Sequence, residues 1–307
     1  MQGVLEGFGV IAVVIALGYV LARVGVLGGS SQEVLARLVF FVGAPALLFE
    51  TLSGAPVGDV FSSALVATAL AVAVTAGIYI TLARVWWRRP AAATTIGALS
   101  SSYVNGGNLG IPIAVYVLGD ASYVAPTMLL QLVVLAPIAF AVLDIATTGR
   151  GVSVRALVFR PFRNPVTLAS LLGVAVAALD VPVPEVVGKP VELIAGMAVP
   201  AALIAYGVSL RGAPRPGAGG SAREVVAVTV LKLVVQPGMA YLGGRFLLDL
   251  EPVWLLSVTL TAALPTAQNI FVYAVRYQRG IALARDSIFV TTLLSGPVIL
   301  LIAALLS

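Results

Sequence analysis

The chain has 307 residues, of which 60% are hydrophobic and 10% are charged, and its formal net charge is +5. This composition is typical of proteins that cross a membrane several times, and it excludes a soluble globular fold. The chain contains no Cys and no His, which excludes disulfides, Cys or His metal sites and hydrolases that need an imidazole base. We therefore expect no enzyme activity and no metal site.

Ten apolar stretches near the 20-residue length of a membrane-spanning helix follow one another along the chain. We predict spans at 4–24, 33–52, 60–85, 91–118, 122–147, 164–179, 190–210, 223–248, 252–277 and 281–306. No basic residue precedes the first stretch, so we expect a retained helix rather than a signal peptide. Pro45 lies inside the second stretch, where we expect a kink rather than an end.

The fourth predicted helix contains a run of helix-weakening residues, S-S-Y-V-N-G-G-N-L-G-I-P at 101–112. An unpaired backbone group at membrane depth costs several kcal/mol, so such a break survives only inside protein or beside a wet cavity. A related interruption, L-P-T-A-Q-N at 264–269, lies in the ninth predicted helix. Paired broken helices indicate the substrate site of a secondary transporter.

We expect the two breaks to bring neutral polar groups together at mid-membrane. A helix that restarts there presents unpaired N–H groups and a positive dipole end, which attract an anion. We predict that the substrate is a small organic anion, held without a fixed counter-charge. The alternative is that these side chains only satisfy freed carbonyl groups. The predicted substrate-binding residues are Asn105, Gly107, Asn108, Pro112, Pro265, Thr266, Gln268 and Asn269.

Similar residues recur in the two halves of the chain at a nearly constant separation. Asn108 and Asn269 are 161 residues apart, and Pro137 and Pro297 are 160 apart. We infer an all-α fold of two five-helix repeats, at 1–148 and 164–307, joined by a linker at 149–163. Five helices per half require the second repeat to be inverted in the membrane. The linker alternates apolar residues with arginines, and it is either a helix on the headgroups or an ordered loop.

Charge predicts the orientation. The loops after the odd-numbered predicted helices carry most of the arginines, whereas the other loops hold only Lys189, Arg245 and several carboxylates. By the positive-inside rule both termini lie outside the cytoplasm, in a multi-pass protein of the cell membrane. Because the basic residues are spread over short loops, their expected partner is the anionic lipid of the bilayer, not nucleic acid.

Ionisable residues inside spans are candidates for coupling. Lys232 is the deepest charge, and its possible partners are Asp286 and Asp144. Lys232 either attracts the substrate anion or forms a static buried ion pair. The two aspartates lie near predicted cytoplasmic helix ends, so the alternative to a coupling role is that each is a solvated residue at a helix terminus. With no His, proton coupling would use a carboxylate or this lysine.

The motifs N-G-G-N-L-G-I-P-I and L-P-T-A-Q-N-I-F-V resemble those of the auxin efflux carrier family, which includes plant auxin exporters and bacterial malate or malonate permeases. The resemblance implies a ten-helix elevator-type carrier, often a homodimer. In it, helices one, two, six and seven form a scaffold, and helices three to five and eight to ten form the transport domain. It also implies crossover roles for Asn105, Asn108, Pro112, Pro265 and Asn269.

The bile acid sodium symporters have a similar broader architecture and a related Q-N pair. They place an acidic sodium ligand four residues before the Gln, where this chain has Leu264. Hard Na+ prefers several oxygen ligands that include charge, so the sequence favours facilitated or H+-coupled transport over Na+ coupling. A sodium-coupled symporter of this type remains the alternative. The sequence has no P-loop, so we expect no primary transport within this chain.

Overall fold

The computed structural model describes residues 2–28, 30–54, 63–110, 113–114, 118, 121–148, 165–211 and 222–306. Regular structure within these ranges is helical, and the only extended pairing is one isolated bridge between Val104 and Thr266. The linker predicted at 149–163 lies outside the described residues.

The first half of the described chain contains five helices. They are α1 (Gln2–Arg23), α2 (Ser31–Leu38, Val39–Gly43 and Ala44–Ser53), α3 (Ser63–Thr81 and Leu82–Trp86), α4 (Ala91–Ser102) and α5 (Ala125–Leu129, Leu130–Leu135 and Ala136–Thr148). A short 3-10 turn, Ala121–Val124, precedes α5, and a wide turn, Gly106–Gly110, follows α4.

The second half of the described chain continues in the same way. Its helices are α6 (Pro165–Ala178), α7 (Glu185–Leu210), α8 (Ala222–Val230, Leu231–Val235, Gln236–Leu242 and Gly243–Leu247), α9 (Pro252–Ala262), α10 (Asn269–Tyr277) and α11 (Ile281–Leu306). Among the described residues, five helices are long and apolar enough to cross a membrane: α3, α5, α7, α8 and α11. The stretch predicted at 252–277 is two helices, α9 and α10, separated by its break.

Three prolines lie within continuous helical runs directly after a widened, π-type turn. Pro45, Pro137 and Pro237 follow the turns Val39–Gly43, Leu130–Leu135 and Leu231–Val235. Proline lacks an N–H and its ring clashes with the carbonyl four residues earlier, and a widened turn accommodates both effects. The second helix therefore continues through Pro45 as predicted, whereas the kink expected at this residue stays a prediction.

Helices α1, α2, α6 and α7 pack in series: α1 packs on α7, α7 on α2, and α2 on α6. At the contact of α1 with α7, a Cβ atom added to Gly207 would lie 2.1 Å from the Ile15 carbonyl oxygen. A Cβ atom added to Gly173 of α6 would lie 3.0 Å from the Phe49 carbonyl oxygen of α2. Small residues let helix backbones approach in this way in membrane proteins. We call these four helices the glycine-packed group.

The remaining helices form a second set of contacts, in which α4 packs on α3 and α5, and α8 packs on α3 and α9. The end of α3 is tied to the start of α8 by an ion pair between Arg89 and Glu224, whose carboxylate also accepts a hydrogen bond from the Tyr79 hydroxyl at 3.4 Å. The hydrogen bond to Glu224 raises the pKa of the Arg89 guanidinium above its usual value. We call this set of helices the break-containing group.

Candidate substrate site

The two helix interruptions meet and pair. α4 ends at Ser102 and α9 ends at Ala262, and each helix is followed by a non-helical segment, 103–105 and 263–268. The Asn105 N–H donates to the Pro265 carbonyl at 2.9 Å, and the Ala267 N–H donates to the Tyr103 carbonyl at 3.2 Å. We call these segments the paired breaks. They supply each other with part of the hydrogen bonding that a buried backbone requires.

The local sequence explains why the chain leaves the helix here. Pro265 has no N–H, and a residue that precedes proline is disfavoured in helical geometry. In the first break, Tyr103 adopts an extended conformation, with φ −94° and ψ 115°, directly before Val104, Asn105 and Gly106. β-branched residues, Asn and Gly are all weaker helix formers than the Ala-rich sequence of α4.

Side chains from neighbouring helices complete the hydrogen bonding of the paired breaks. Gln131 of α5 accepts from the Val104 N–H and donates to the Val104 carbonyl at 3.2 Å. Its amide thus bonds both backbone groups of Val104, as a neighbouring β-strand would. The Thr266 N–H donates to the Thr291 hydroxyl of α11 at 3.1 Å. The Thr266 hydroxyl donates to the Ser100 carbonyl at 2.6 Å, which ties the second break to α4.

A cavity of about 110 Å³ lies between the paired breaks and helices α2 and α7. An apolar cavity of about 150 Å³ accommodates benzene, so this space suits a solute of a few heavy atoms. The polar residues in its wall carry only amides and phenols: Tyr103, Asn105, Gln131, Gln268, Asn269 and Tyr273. The apolar part includes Val39, Ala44, Leu47, Met128, Leu132, Ala198, Val199 and Ala202. Within the described chain, no Asp, Glu, Lys or Arg lines this cavity.

Two polar atoms at the cavity wall have no hydrogen-bond partner among the described residues. They are the Tyr103 hydroxyl and Oδ1 of Asn269. Asn269 Nδ2 donates to the Tyr273 hydroxyl at 3.0 Å. The Tyr103 hydroxyl lies beside both Asn269 and Tyr273 without adopting hydrogen-bond geometry with either. Because buried polar atoms are normally satisfied, these two are available to a solute in the cavity.

Residues 8–303 match the family described as membrane transport protein. The chain belongs to this family. It is the auxin efflux carrier family that the sequence motifs of the two breaks resemble.

Two relatives cover nearly the whole chain. The protein named "Putative malonate transporter" from Rhizobium meliloti (strain 1021) is 30% identical over 92% of this chain and 89% of its own length. The protein named "Uncharacterized transporter" from Methanothermobacter thermautotrophicus (strain ATCC 29096 / DSM 1053 / JCM 10044 / NBRC 100330 / Delta H) is 27% identical over 93% of this chain and 92% of its own length. Membership in the membrane transport protein family makes this chain a multi-pass membrane protein and a transporter, not an enzyme.

The predicted substrate-binding residues of this family member fall into three groups. Asn105, Gln268 and Asn269 lie in the cavity wall. Pro265 and Thr266 lie behind the wall, where they form and brace the second break. Gly107 and Asn108 belong to the turn Gly106–Gly110. The side chain of Asn108 and the whole of Pro112 lie outside the described residues, so their roles stay predictions.

The three predicted coupling residues are far from forming one cluster. Asp286 of α11 accepts from its neighbour Arg285 at 2.8 Å, and Asp144 of α5 accepts from the Tyr277 hydroxyl at 2.9 Å. Lys232 of α8 donates instead to Gln236 and to the Ala262 carbonyl. The ion pair of Lys232 with either aspartate, one of the sequence-based hypotheses, is therefore not formed.

Sequence reasoning missed Gln131, Gln236 and Tyr103. Gln131 and Gln236 are single amides within apolar spans, and burying an amide is unfavourable unless it is hydrogen-bonded. That cost is a signal that each amide has a partner, although it does not identify the partner. Tyr103 gave a weaker signal, because a tyrosine inside a span buries a largely apolar ring and has a single hydroxyl to satisfy.

Proposed function

We propose that this protein is a secondary transporter of small organic anions, carboxylates such as auxin-like or dicarboxylic acids. The single observation that carries the proposal is the small cavity at the paired breaks, whose otherwise apolar wall includes a cluster of amides and phenols. The Rhizobium meliloti relative, whose name refers to malonate, supports the same substrate class.

The electrostatics of the cavity suit a weakly held anion. α10 begins at Asn269 in the cavity wall, so the positive end of its dipole faces the cavity. Such an end stabilises an anion by about 0.3–1 kcal/mol when exposed and up to about 2 kcal/mol when partly buried. Amide and phenol groups add hydrogen bonds without a fixed positive charge. A transporter benefits from this weak binding, because the anion must leave the site again.

Several contacts support a transport cycle of the elevator type, in which the break-containing group moves along the glycine-packed group. The cavity wall is shared between the two groups, since α2 and α7 supply its apolar side. Outside the cavity, aromatic rings of α2 contact the break-containing group. The Arg276 guanidinium of α10 lies 5.2 Å from the ring centre of Phe41, and the ring centres of Phe40 and Phe140 are 5.7 Å apart. Such contacts have few directional bonds to break.

In this proposal the glycine-packed group is the scaffold and the break-containing group is the transport domain. The fold is ten membrane-spanning helices in two inverted repeats, with both termini outside the cytoplasm and with two chains per homodimer. One feature supports the repeat: Gln131 and Thr291, 160 positions apart, each accept from a backbone N–H of a break, Val104 and Thr266. The driving force is the gradient of the anion itself or of H+.

A flux measurement on purified protein in liposomes tests the function. Radiolabelled malonate is offered first, and unlabelled mono-, di- and tricarboxylates then compete. A pH gradient and a Na+ gradient are imposed separately. We expect saturable uptake that other small carboxylates inhibit and that malonamide, which is neutral and of similar size, does not. Equal inhibition by malonamide, or no uptake of any small carboxylate above protein-free liposomes, would overturn the assignment.

A further inference from the structure

Lys232 is buried in the break-containing group, and no counter-ion for it lies among the described residues. Its side chain has 0% exposure, and it is one of only two lysines in the chain. Its ammonium group donates to Oε1 of Gln236 at 2.5 Å and to the carbonyl of Ala262 at 3.0 Å. It forms no ion pair within the described part of the chain. Burying an uncompensated ammonium is costly, so a charged Lys232 is stable here only if its hydrogen-bond acceptors offset the charge.

The acceptors identify what balances it. Ala262 is the last residue of α9, so its carbonyl is one of the unpaired groups at that helix end. Gln236 donates through Nε2 to the carbonyl of Ser102, the last residue of α4, at 2.9 Å. The direction of the Gln236 amide is fixed, because a carbonyl only accepts and an ammonium only donates. One Lys–Gln pair therefore serves the final carbonyls of both interrupted helices.

The charges also match. The C-terminal end of a helix carries about half a negative charge, and the two ends together carry about one. A single ammonium between them is neutralised by helix dipoles and hydrogen bonds rather than by a carboxylate. The cavity lies at the paired breaks, yet Lys232 and Gln236 do not line it.

We propose that Lys232 is the built-in cation of the paired breaks. It is a positioning residue that, with Gln236, holds the ends of α4 and α9 together so that both breaks keep one geometry. The site then needs no inorganic cation at this point. The consequence for transport rests on the proposed function, whereas the consequence for the backbone does not.

The test compares Lys232→Met with Lys189→Met, which removes the other lysine from an exposed pair with Glu185. Amide hydrogen exchange is followed in peptides that cover 100–106 and 260–267. In Lys232→Met we expect exchange to become at least tenfold faster in both peptides, and malonate flux to fall at least tenfold. Lys189→Met should change neither. Unchanged exchange in both peptides, or faster exchange in 260–267 alone, would overturn the link between the two breaks.

A second variant covers the case in which Lys232→Met does not fold. Gln236→Met removes the connection to Ser102 and one of the two acceptors of Lys232, but it leaves the bond from Lys232 to the Ala262 carbonyl. We therefore expect a larger increase in exchange in 100–106 than in 260–267. If Gln236→Met increased exchange equally in both peptides relative to the wild type, the proposal would be contradicted. Wild-type flux should be the same in sodium and in choline medium, and a strict Na+ requirement would overturn the built-in cation. The exchange results hold even if malonate is not transported, so failure of the function is recognised separately.

Discussion

The contact of α1 with α7 and the paired breaks are two solutions to the same problem, that of burying backbone in a membrane protein. In α1 and α7 each helix satisfies its own carbonyl and N–H groups, and Gly18 and Gly207 bring the two backbones into direct contact. In the paired breaks the helices stop, and Gln131, Gln236, Lys232, Thr266 and Thr291 satisfy the freed groups.

The difference shows where a solute can bind. At the closest approach of α1 and α7 the helices continue without a break and glycines face the neighbouring backbone, so this contact has no helix end to offer to a solute. The paired breaks satisfy most of their groups but leave the Tyr103 hydroxyl and Asn269 Oδ1 at the cavity wall. We therefore expect mutations in the first region to act on stability, and mutations of Tyr103 and Asn269 at the cavity wall to act mainly on transport.

The largest effect is expected from Gly207→Ala in α7. The added Cβ would lie 2.1 Å from the Ile15 carbonyl oxygen, and helix backbone cannot move aside cheaply. Overpacking of this kind costs about 3 kcal/mol, so we expect a large fall in the thermal midpoint of the purified protein. Gly196→Ala in the same helix is the matched control, since nothing lies within 4 Å of its new Cβ. If both variants melt alike, α1 and α7 are not held by this contact.

Asn269→Ala tests the other region. The variant removes an amide that meets both the cavity and Tyr273, and a hydrogen bond to a charged solute contributes about 1.5–3 kcal/mol. We expect flux to fall by about 100-fold, which corresponds to about 2.7 kcal/mol, while the thermal midpoint changes little. Asn108→Ala is expected to behave in the same way. Gln32→Ala removes an amide outside the cavity wall and should transport normally. Normal transport by Asn269→Ala would remove this residue from the site.

The sequence predicted the interruptions because their residues conflict with their surroundings. Asn105, Gly106 and Pro265 are poor helix formers, whereas an apolar span requires a helix. The conflict is confined to these few residues, so the sequence alone located each break. The bounds of the predicted spans came from the lengths of the apolar stretches. Pro45 was predicted to be carried through its helix, and the widened turn before it shows how.

The supporting bonds were not predictable, because each joins residues far apart in sequence. Gln131 lies 27 residues from Val104, and Gln236 lies 134 residues from Ser102. Their pairing depends on how α5 and α8 pack against the breaks, which hydrophobic periodicity does not encode. Lys232 shows the same limit: its depth was evident, but an aspartate was a more obvious partner than a helix end.

Gln131→Leu sharpens the comparison by damaging the first break without touching its backbone sequence. The N–H and carbonyl of Val104 both lose their side-chain partner, and a buried group left unsatisfied costs about 1–3 kcal/mol. We expect the free energy of unfolding to fall by about 2 kcal/mol, measured by reversible detergent unfolding. Thr291→Val removes a single bond to Thr266 and should cost about half as much. Equal stability of Gln131→Leu and the wild type would mean that water replaces the amide.

Tyr103→Phe is expected to have the smallest effect and to separate binding from stability. The hydroxyl has no hydrogen-bond partner among the described residues, so its removal should leave the thermal midpoint unchanged or raise it slightly. If the hydroxyl donates to the carboxylate of the solute, KM should rise by about fivefold to tenfold, or roughly 1 kcal/mol, with the maximal rate retained. Tyr206→Phe is the matched control. Its hydroxyl donates to the Arg285 carbonyl at 3.0 Å, outside the cavity wall, so that variant should lose stability and keep its KM. A Tyr103→Phe protein with unchanged KM would show that the phenol closes the cavity wall without touching the solute.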